Sequence, residues 1–472
     1  MKININQKRF FVFLFILAIL IISITPIIRS ISNKPLLIGE KPYHDIRMSQ
    51  AILEKGLNFK DPLVFENKEY SAQPYHLLLI PFIYFLKPNL TFLFFTYFTG
   101  ILSLLLFFLV LKEFKIKRKQ TILTLLIFIL SPAFIYSSGT LNEFGLSICL
   151  LLLGTLLFLK EKFFKTTIFI FLIATILNLF NALVIIFLLL FLSEIDPTKK
   201  RNINLTIAYI LLTTFIYYIY NFFNINLLKL LTKGSLMHFV SDLGGPIGLS
   251  VFTLILGIIG IFITWDHKQQ LKNIYYLILL LIIASLYFEH ANIYLNIIFS
   301  IFAGIAITKI IYMKWDVKGL KTLTTLLLLC GLLFSTISYI ERFSVSEPSK
   351  ELKESLEWFN KNAEKGIIFS HHSKGYWITY FADNQVLTDS TFFYENPTQK
   401  IADSSLLFNS QNIKEIKTIL DKYSIKYIFI DPKMKKGQVW TKKQGLWYSF
   451  RNSETFNNLY NKDQIEIWEY IG

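Results

Sequence analysis

The segment that decides the fold lies at residues 29–76, between the first two strongly apolar parts of the chain. Its centre reads Gly39-Glu40-Lys41-Pro42-Tyr43-His44-Asp45-Ile46-Arg47, and it ends Tyr70-Ser71-Ala72-Gln73-Pro74-Tyr75-His76. A loop this long inside a compact architecture is usually either functional or disordered. Because carboxylates, histidines, tyrosines and an arginine occur in it at helical spacing, we interpret it as an ordered functional loop. The alternative is a polar tether whose carboxylates face water.

The composition around this loop is that of a membrane protein. Of the 472 residues, 53% are hydrophobic and only 17% are charged, and the mean hydropathy is +0.49. Soluble globular domains carry more charge and fewer apolar residues. Apolar runs of about 18 or more residues are typical of membrane spans, and several occur here. We therefore predict a polytopic α-helical membrane protein.

The apolar runs predict about eleven transmembrane helices. They lie at residues 10–28, 89–111, 120–136, 143–159, 166–178, 180–193, 203–223, 247–264, 274–288, 293–312 and 320–340. Residues 166–193 are too long for one span and short for two, and basic residues flank both ends. If both ends are cytoplasmic, this region consists of two short helices that meet near Asn178 and Asn181, and the expected role of these asparagines is to cap helix ends.

The charge pattern predicts the orientation of the chain. The formal net charge is +16, but the lysines and arginines concentrate in short loops between spans, where they orient the protein and face anionic lipid headgroups. We therefore exclude nucleic acid as a partner. Basic short loops stay cytoplasmic, which predicts a plasma-membrane protein with a cytoplasmic N-terminus. The loop 29–76 and the C-terminal region are then extracytoplasmic.

The composition changes after residue 340, which predicts two domains. Residues 1–340 form the transmembrane domain, including the first outer loop, and residues 341–472 form an extracytoplasmic α/β domain. In the second domain, Ser349 is placed to cap a helix, and short strand-like runs alternate with helices. In the first loop, residues 44–56 predict a helix lying on the membrane surface. Residues 77–86 predict a second piece that is interfacial or partly inserted, and not a span.

The first loop carries residues suited to group transfer. A carboxylate in a partly dehydrated place has a raised pKa, which suits proton abstraction, and this makes Glu40 and Asp45 candidate bases. Arg47 is a candidate for holding a phosphate through its guanidinium fork. We expect Tyr43, His44 and His76 to line the same site. A base beside a cation that holds phosphate, opening on the lipid, fits transfer from a lipid-phosphate donor. We also expect the chain to interact with the lipid bilayer.

Glu143 is a further candidate, at the margin of a short outer loop. An acidic residue there stabilises the start of the next helix, or it faces a cavity shared with the long loop. Both interpretations are kept. The two cysteines, Cys149 and Cys330, lie inside apolar runs and indicate neither a disulfide nor a zinc site.

The layout and three motifs resemble the membrane-embedded C-type (GT-C) glycosyltransferases. Residues 40–43 are similar to the family's first-loop motif Asp-Glu-x-x-Tyr, with Gly39 in place of the Asp. Residues 41–47 resemble Asp-Pro-Tyr-x-x-x-Arg of oligosaccharyltransferase catalytic subunits. The segments Gly375–Tyr380 and Val386–Asp389 resemble the sequence that begins at the last residue of their Trp-Trp-Asp-Tyr-Gly motif. The resemblance implies transfer of a sugar or glycan from a polyprenyl-phosphate carrier, with Glu40 in the catalytic acidic position.

Departures from the family pattern bear on the metal. Lys41 replaces the family's metal-binding Asp, and a cation at a ligand position disfavours a divalent ion, so we expect no cofactor. His371-His372-Ser373-Lys374 replaces Trp-Trp-Asp-Tyr. Ser344-Val345-Ser346-Glu347 matches another oligosaccharyltransferase motif, but it follows the last predicted span, and we interpret that match as coincidence.

The leading hypothesis is a metal-independent glycosyltransferase that uses a polyprenyl-phosphate-linked sugar and an acceptor that the sequence does not identify. Glu40 would be its base, with Asp45 the second candidate. The alternative is a non-catalytic GT-C-like scaffold or glycan-binding subunit, which Lys41 and the missing tryptophan motif favour. A transporter or flippase ranks last, because few charged residues interrupt the spans and no inverted repeat with broken helices is evident.

Overall fold

A computed structural model describes residues 7–57, 60–65, 68–69, 73–160, 164–222, 239–390 and 397–472. The contacts divide the chain into two compact units. The helical unit contains Met1–Arg29 and Asn89–Val345, and the mixed unit contains Ser30–Pro88 and Ser346–Gly472. The loop 29–76 was predicted to belong to the transmembrane domain, whereas residues 30–88 pack with the C-terminal residues.

The helices of the described chain are α1 (Gln7–Ile31), α2 (Lys41–Lys55), α3 (Pro74–Phe85), α4 (Pro88–Glu113), α5 (Arg118–Ile129), α6 (Pro132–Gly139), α7 (Glu143–Leu159), α8 (Phe164–Leu177), α9 (Leu179–Ile195), α10 (Lys200–Phe222), α11 (Val251–Ile263), α12 (Lys268–Tyr287), α13 (Ala291–Tyr312), α14 (Lys318–Val345), α15 (Lys350–Asn362), α16 (Gly375–Trp377), α17 (Pro397–Asn409), α18 (Ile413–Lys422) and α19 (Leu446–Ser449). The strands are β1 (Lys60–Asp61), β2 (Lys68–Glu69), β3 (Ile367–Phe369), β4 (Gln385–Val386), β5 (Ile425–Ile430), β6 (Phe456–Lys462) and β7 (Ile465–Tyr470).

The helical unit confirms that the apolar runs form helices, since each predicted run overlaps one or two of them. In the part of the chain that the structure describes, five helical segments are long and apolar enough to cross a membrane: Arg9–Ile31, Pro88–Glu113, Trp265–Tyr287, Ala291–Tyr312 and Lys318–Asn362. The pair α5 and α6, bent by 61°, would make a sixth. Helices α7, α8, α9 and α11 are apolar but shorter. The total of about eleven spans therefore stays a prediction.

The two short helices expected within residues 166–193 are present as α8 and α9. The side chain of Asn178 accepts a hydrogen bond from the amide of Phe180 (2.8 Å) and so caps α9. The amide group of Asn181 donates to the carbonyl of Ala174 (2.6 Å) near the end of α8. Both asparagines satisfy backbone groups at the helix break, which confirms the capping interpretation. An unsatisfied backbone group in hydrocarbon would cost several kcal/mol.

Small residues let the helices of this unit approach closely. A Cβ on Gly257 would meet the ring of Phe299, and a Cβ on Gly260 would overlap the backbone carbonyl of Phe302, so α11 and α13 are in near-backbone contact. Gly304 on α13 is equally close to Thr124 on α5. Close backbone approach at small residues drives helix association where there is no water to expel.

The mixed unit contains a five-stranded sheet in the order β4-β3-β5-β7-β6. Strand β3 pairs in parallel with β4 and β5, and β7 pairs antiparallel with β5 and β6. Phe369, Ile428 and Trp440 belong to its buried core. The predicted cap at Ser349 is present, because its hydroxyl accepts a hydrogen bond from the amide of Leu352 (3.2 Å). The hairpin of β6 and β7 and helix α17 were not predicted.

The first loop extends this sheet. The amide of Phe65 donates to the carbonyl of Val386 (2.9 Å), and the amide of Val386 donates to the carbonyl of Leu63 (3.0 Å). Val64 forms a parallel bridge with Val386. Helix α2 ends at Gly56, as predicted, but Tyr43, Ile46 and Ile52 are buried within the unit. Ile46 and Ile52 of the apolar face that suggested a helix on a membrane surface therefore pack on protein, whereas Leu53 on the same helix is exposed.

The contact between α11 and α13 gives a test of the helical packing. Replacing Gly260 with Ala places a methyl group against the backbone of Phe302, which cannot move as a side-chain tip can. We expect Gly260→Ala to cost roughly 1–3 kcal/mol of stability, the usual penalty for overpacking. The measurement is thermal unfolding in detergent. Gly319→Ala, where a Cβ meets nothing within 4 Å, is the control and should leave the midpoint unchanged or slightly raised.

Candidate active site

The structure places six of the seven predicted site residues in the mixed unit. Glu40, Tyr43, His44, Asp45 and Arg47 belong to the start of α2, and His76 belongs to α3. Glu143 is the exception, because it is the first residue of α7 in the helical unit.

The Gly39–Glu40 segment is held from both sides. The amide of Gly39 donates to the carbonyl of Glu347 (2.8 Å), and its carbonyl accepts from Nε1 of Trp377 (3.1 Å). Gly39 has a φ of +80°, a backbone conformation that L side chains rarely adopt. The family's Asp is therefore replaced here by a residue that the local backbone requires.

Glu40 is a largely buried carboxylate with one satisfied and one unsatisfied oxygen. Its Oε1 accepts a hydrogen bond from the hydroxyl of Ser390 (2.6 Å), whereas Oε2 is buried and has no hydrogen-bond partner among the described residues. Burial raises the pKa of Glu40 to about 7, and the negative charges of Asp389 and Glu347 act in the same direction. The Ser390 hydrogen bond and the Lys374 charge oppose the rise in this pKa. A carboxyl with a pKa near neutrality is suited to general base catalysis.

Lys374 supplies a buried positive charge close to this carboxylate. Its side chain is 1% exposed, and Nζ lies 2.6 Å from Oδ2 of Asp431 and 3.0 Å from Oε2 of Glu347. Nζ also lies 5.1 Å from the ring centroid of Trp377. A buried ammonium is stable only when carboxylates or other acceptors surround it.

Gly375 brings the Lys374 segment against the residues that touch Glu40. A Cβ at Gly375 would lie 2.8 Å from Cα of Asp389 and 2.8 Å from the carbonyl oxygen of Thr388. The start of α16 therefore packs directly on the segment that carries Asp389 and Ser390. Three parts of the mixed unit converge on Glu40: residues 346–347, residues 374–377 and residues 389–390.

Sequence reasoning missed most of these neighbours. Glu347 belongs to the tetrapeptide interpreted as a coincidental match, and the structure corrects this, because its main chain and side chain both support the site. Lys374 was noted only as a departure from a motif. The signal for Asp389 was the resemblance of Val386–Asp389, and Ser390 is the next residue along the chain.

Asp45 and His76 form a fully buried pair. Nε2 of His76 donates to Oδ1 of Asp45 (3.0 Å), and both side chains are 0% exposed. The hydroxyl of Ser49 donates to the carbonyl of His76 (3.0 Å), which ties α2 to α3 a second time. Oδ2 of Asp45 is buried and has no hydrogen-bond partner among the described residues. The pair holds the two helices together, and the role of Asp45 as a second candidate base stays a prediction.

Tyr43 and His44 pack against the segment that follows Lys374. The Tyr43 ring lies 5.0 Å from those of Tyr380 and Phe381, and its hydroxyl donates to the carbonyl of Leu37 (3.1 Å). The His44 ring stacks on Tyr376 at 4.2 Å. These contacts fix the direction of α2 and thus the position of Glu40 at its first turn.

Arg47 is engaged by a carboxylate of the same loop. Its two terminal nitrogens donate to the two oxygens of Asp61 at 2.8 and 2.6 Å, and the Asp61 side chain is 6% exposed. This bidentate pair uses the fork that the sequence analysis assigned to a carrier phosphate. Binding a phosphate there would require Arg47 to leave Asp61.

Glu143 lies in the first turn of α7, where Asn142 is the cap. The side chain of Asn142 accepts from the amides of Phe144 (2.9 Å) and Gly145 (3.0 Å). The ring of His290 stacks on Phe144 at 4.1 Å. The position fits the expectation that Glu143 stabilises a helix start, and its assignment to substrate binding stays a prediction.

The residues around Glu40 do not fit a divalent-ion site. Within the described ranges, no group of three or more His, Cys, Asp or Glu side chains is placed to hold a metal ion. The carboxylate of Glu347, near Glu40, is already bound by the ammonium of Lys374, which also binds Asp431. Burial, and then the neighbouring His372 and Lys374, lower the pKa of His371 to about 4. At neutral pH this histidine is therefore uncharged and adds no positive charge beside the carboxylates.

The fold is similar to the folds of an archaeal oligosaccharyltransferase and of ArnT. No protein-family model and no curated protein matches the sequence, so the likeness rests on solved structures. The oligosaccharyltransferase of Archaeoglobus fulgidus, tethered to an acceptor peptide, has a TM-score of 0.65 at 12% identity over 90% of this chain and 69% of its own. The same organism's AglB with an inhibitory peptide and a dolichol-phosphate has a TM-score of 0.64 at 13% identity, over 90% and 70%. ArnT of Cupriavidus metallidurans, bound to undecaprenyl phosphate, has a TM-score of 0.57 at 10% identity, over 97% of both chains.

The Asp45–His76 pair gives a test of its structural role. In a double-mutant cycle of Asp45→Ala and His76→Ala, we expect a coupling energy of roughly 1–3 kcal/mol in denaturant unfolding, because each single change leaves a buried polar group without its partner. Lys350 and Glu354 are the control pair, 3.6 Å apart and 45% and 47% exposed, and their coupling should be about 0.5 kcal/mol or less. A coupling for Asp45 and His76 as small as that of the control would contradict the assignment.

Proposed function

We propose that this chain is a membrane glycosyltransferase that moves a sugar or glycan from a polyprenyl-phosphate carrier to an acceptor on the extracytoplasmic face. The proposal rests on Glu40, a fixed carboxylate with a pKa of about 7 and one buried oxygen that has no hydrogen-bond partner in the described part of the chain. The GT-C fold supports a lipid-linked donor, since AglB and ArnT were solved with dolichol-phosphate and undecaprenyl phosphate.

In the proposed reaction, Glu40 acts through its Oε2 atom. The carboxylate removes the proton from the acceptor's nucleophilic group, whose electron pair attacks the anomeric carbon of the donor sugar. The bond between that carbon and the phosphate oxygen breaks, and the carrier phosphate departs with the electron pair. The proton stays on Glu40 until solvent removes it. Ser390 holds the other oxygen and so orients the carboxylate toward the acceptor.

The reaction is proposed to proceed without a metal ion. Lys41 and Lys374 bring two cations to the region where the resemblance implies a divalent ion, and the described carboxylates are not arranged as ligands. The proposed topology has a cytoplasmic N-terminus and an extracytoplasmic mixed unit, in the plasma membrane. It rests on the basic residues of the short loops.

Replacing the base should remove transfer and leave the fold intact. We expect Glu40→Gln to lower the rate of transfer from a short-chain polyprenyl-phosphate sugar roughly 100-fold or more, the usual contribution of a general base. The measurement is turnover by the purified protein with a panel of donors and acceptors. Glu54→Gln is the control, because Glu54 is an exposed carboxylate on the same helix. A wild-type rate in Glu40→Gln would overturn the assignment of the base to Glu40, and carrier binding without turnover would favour the scaffold.

The raised pKa of Glu40 predicts the pH dependence. The base works only when deprotonated, so the rate should rise with pH through about 7 and level off above it. Ser390→Ala removes a hydrogen bond that lowers this pKa, and the acidic limb should then move to higher pH. Initial rates from pH 5 to 9, an interval of roughly two units on each side of neutrality, test both expectations. A flat profile would show that Glu40 does not limit the rate.

Chelation provides a separate test of the metal-independent reaction. We expect EDTA to leave turnover unchanged and added manganese to give no increase, since no cluster of His, Cys, Asp or Glu among the described residues is placed to bind a metal ion. The comparison uses the same preparation before and after exhaustive chelation, with magnesium added back as the control for reversibility. Loss of turnover on chelation, with recovery on addition of metal, would mean that carboxylates outside this arrangement hold an ion.

A further inference from the structure

The ion cluster behind Glu40 is formed by Lys374, Glu347 and Asp431. Lys374 and Asp431 are each 1% exposed, and Glu347 is 19% exposed. Lys433, whose Nζ lies 3.4 Å from Oε2 of Glu347, joins the cluster from the surface. The second oxygen of Asp431 accepts from the amide of Met434 (3.0 Å), so both of its oxygens have partners.

This cluster is connected to Glu40 through the main chain. Glu347 binds Lys374 with its carboxylate and receives the Gly39 amide on its carbonyl. Trp377, whose ring lies beside the Lys374 ammonium, donates to the carbonyl of Gly39. Both hydrogen bonds that fix the Gly39 peptide therefore come from residues that contact Lys374.

A buried ion cluster of this kind is expensive to keep for stability alone. Removing two charges from water costs several kcal/mol each, and replacing such a pair by apolar residues is often neutral or stabilising. A cluster that also provides a fixed charge beside a reacting group has a second role. The GT-C resemblance has a tyrosine of the Trp-Trp-Asp-Tyr sequence where this chain has Lys374, so the charge is a property of this sequence.

We propose that Lys374 is a positioning residue for Glu40: through Glu347 and Trp377 it fixes the Gly39–Glu40 peptide, and its ammonium supplies the positive charge that Glu40 needs to ionise. The inference rests on the proposed function for its catalytic meaning. Its electrostatic part holds for the folded protein whether or not sugar is transferred.

The charged groups that face Glu40 determine the direction of the effect. Asp389 and Glu347 disfavour the Glu40 carboxylate, and Lys374 favours it together with the hydrogen bond from Ser390. Lys374 is the positive charge among these interactions. Without Lys374, two carboxylates and one hydroxyl of this set remain around Glu40, and the protonated form of Glu40 is favoured.

The experiment compares variants that remove the charge with variants that keep it. Lys374→Met alone leaves Asp431 buried and unpaired, which costs about 3–5 kcal/mol and can prevent folding. Lys374→Met combined with Asp431→Asn removes both members of the buried pair, and Glu347 keeps Lys433 as a partner. Lys374→Arg retains the charge. The matched control is Lys435→Met with Glu466→Gln, an ion pair 2.6 Å long whose side chains are 10% and 15% exposed.

Two readouts separate positioning from folding. The first is the protonation of Glu40 by infrared titration of its carboxyl band, which is assigned by its loss in Glu40→Gln. The second is the pH–rate profile for sugar transfer. In the Lys374→Met, Asp431→Asn variant we expect both midpoints to move to higher pH by on the order of one unit, as for loss of a nearby opposite charge. The rate at neutral pH should fall and recover in alkaline solution.

The outcomes distinguish this inference from the proposed function. Wild-type midpoints in Lys374→Arg and in the control pair support the inference, and an unchanged midpoint with an unchanged rate in the folded double variant overturns it. A rate lowered equally at every pH, with the infrared midpoint unchanged, would overturn the electrostatic part of the inference and support the positioning part. If no donor is turned over, the proposed function fails, while the infrared titration still decides the role of Lys374.

Discussion

Main-chain hydrogen bonding between the first loop and the C-terminal sheet is the constraint on which the candidate site depends. Residues 63–65 pair with Val386 at the edge strand β4, and Gly39 is held by Glu347 and Trp377. Backbone groups buried in this way must be paired, and their pairing fixes the register of the loop. Helix α2 starts directly after Gly39, so the same bonds determine where Glu40 points.

Two carboxylates on one helix illustrate how surroundings separate chemistry from structure. Glu40 and Asp45 both precede a membrane segment and both are acidic, and the sequence gives no reason to separate them. Asp45 is 0% exposed and is bound by His76, whereas Glu40 is only partly buried and is bound by Ser390. Each keeps one carboxylate oxygen without a hydrogen-bond partner among the described residues. The difference arises from the residues that α2 packs against, and those come from two distant parts of the chain.

Local signals predicted much of the helical architecture and only part of the site. The apolar runs, the capping asparagines near residue 178 and the Ser349 cap act over a few residues, and each is present in the structure. The site requires contacts across more than 300 positions, such as Ser390 with Glu40 (|i−j| of 350). A single sequence has no periodicity that reports such a contact. Arg47 shows the same limit, because its ion-pair partner Asp61 was not predicted from the sequence.

The mixed unit is discontinuous in the chain, which has a consequence for biogenesis. Its first part, Ser30–Pro88, is synthesised before the helical unit, and its second part, Ser346–Gly472, comes afterwards. At ordinary rates of translation the two parts appear on the order of tens of seconds apart. During that interval the apolar faces of α2 and α3 lack their final partners. The nascent loop must therefore be shielded, by the bilayer surface or by the insertion machinery, until the sheet that receives it has been made.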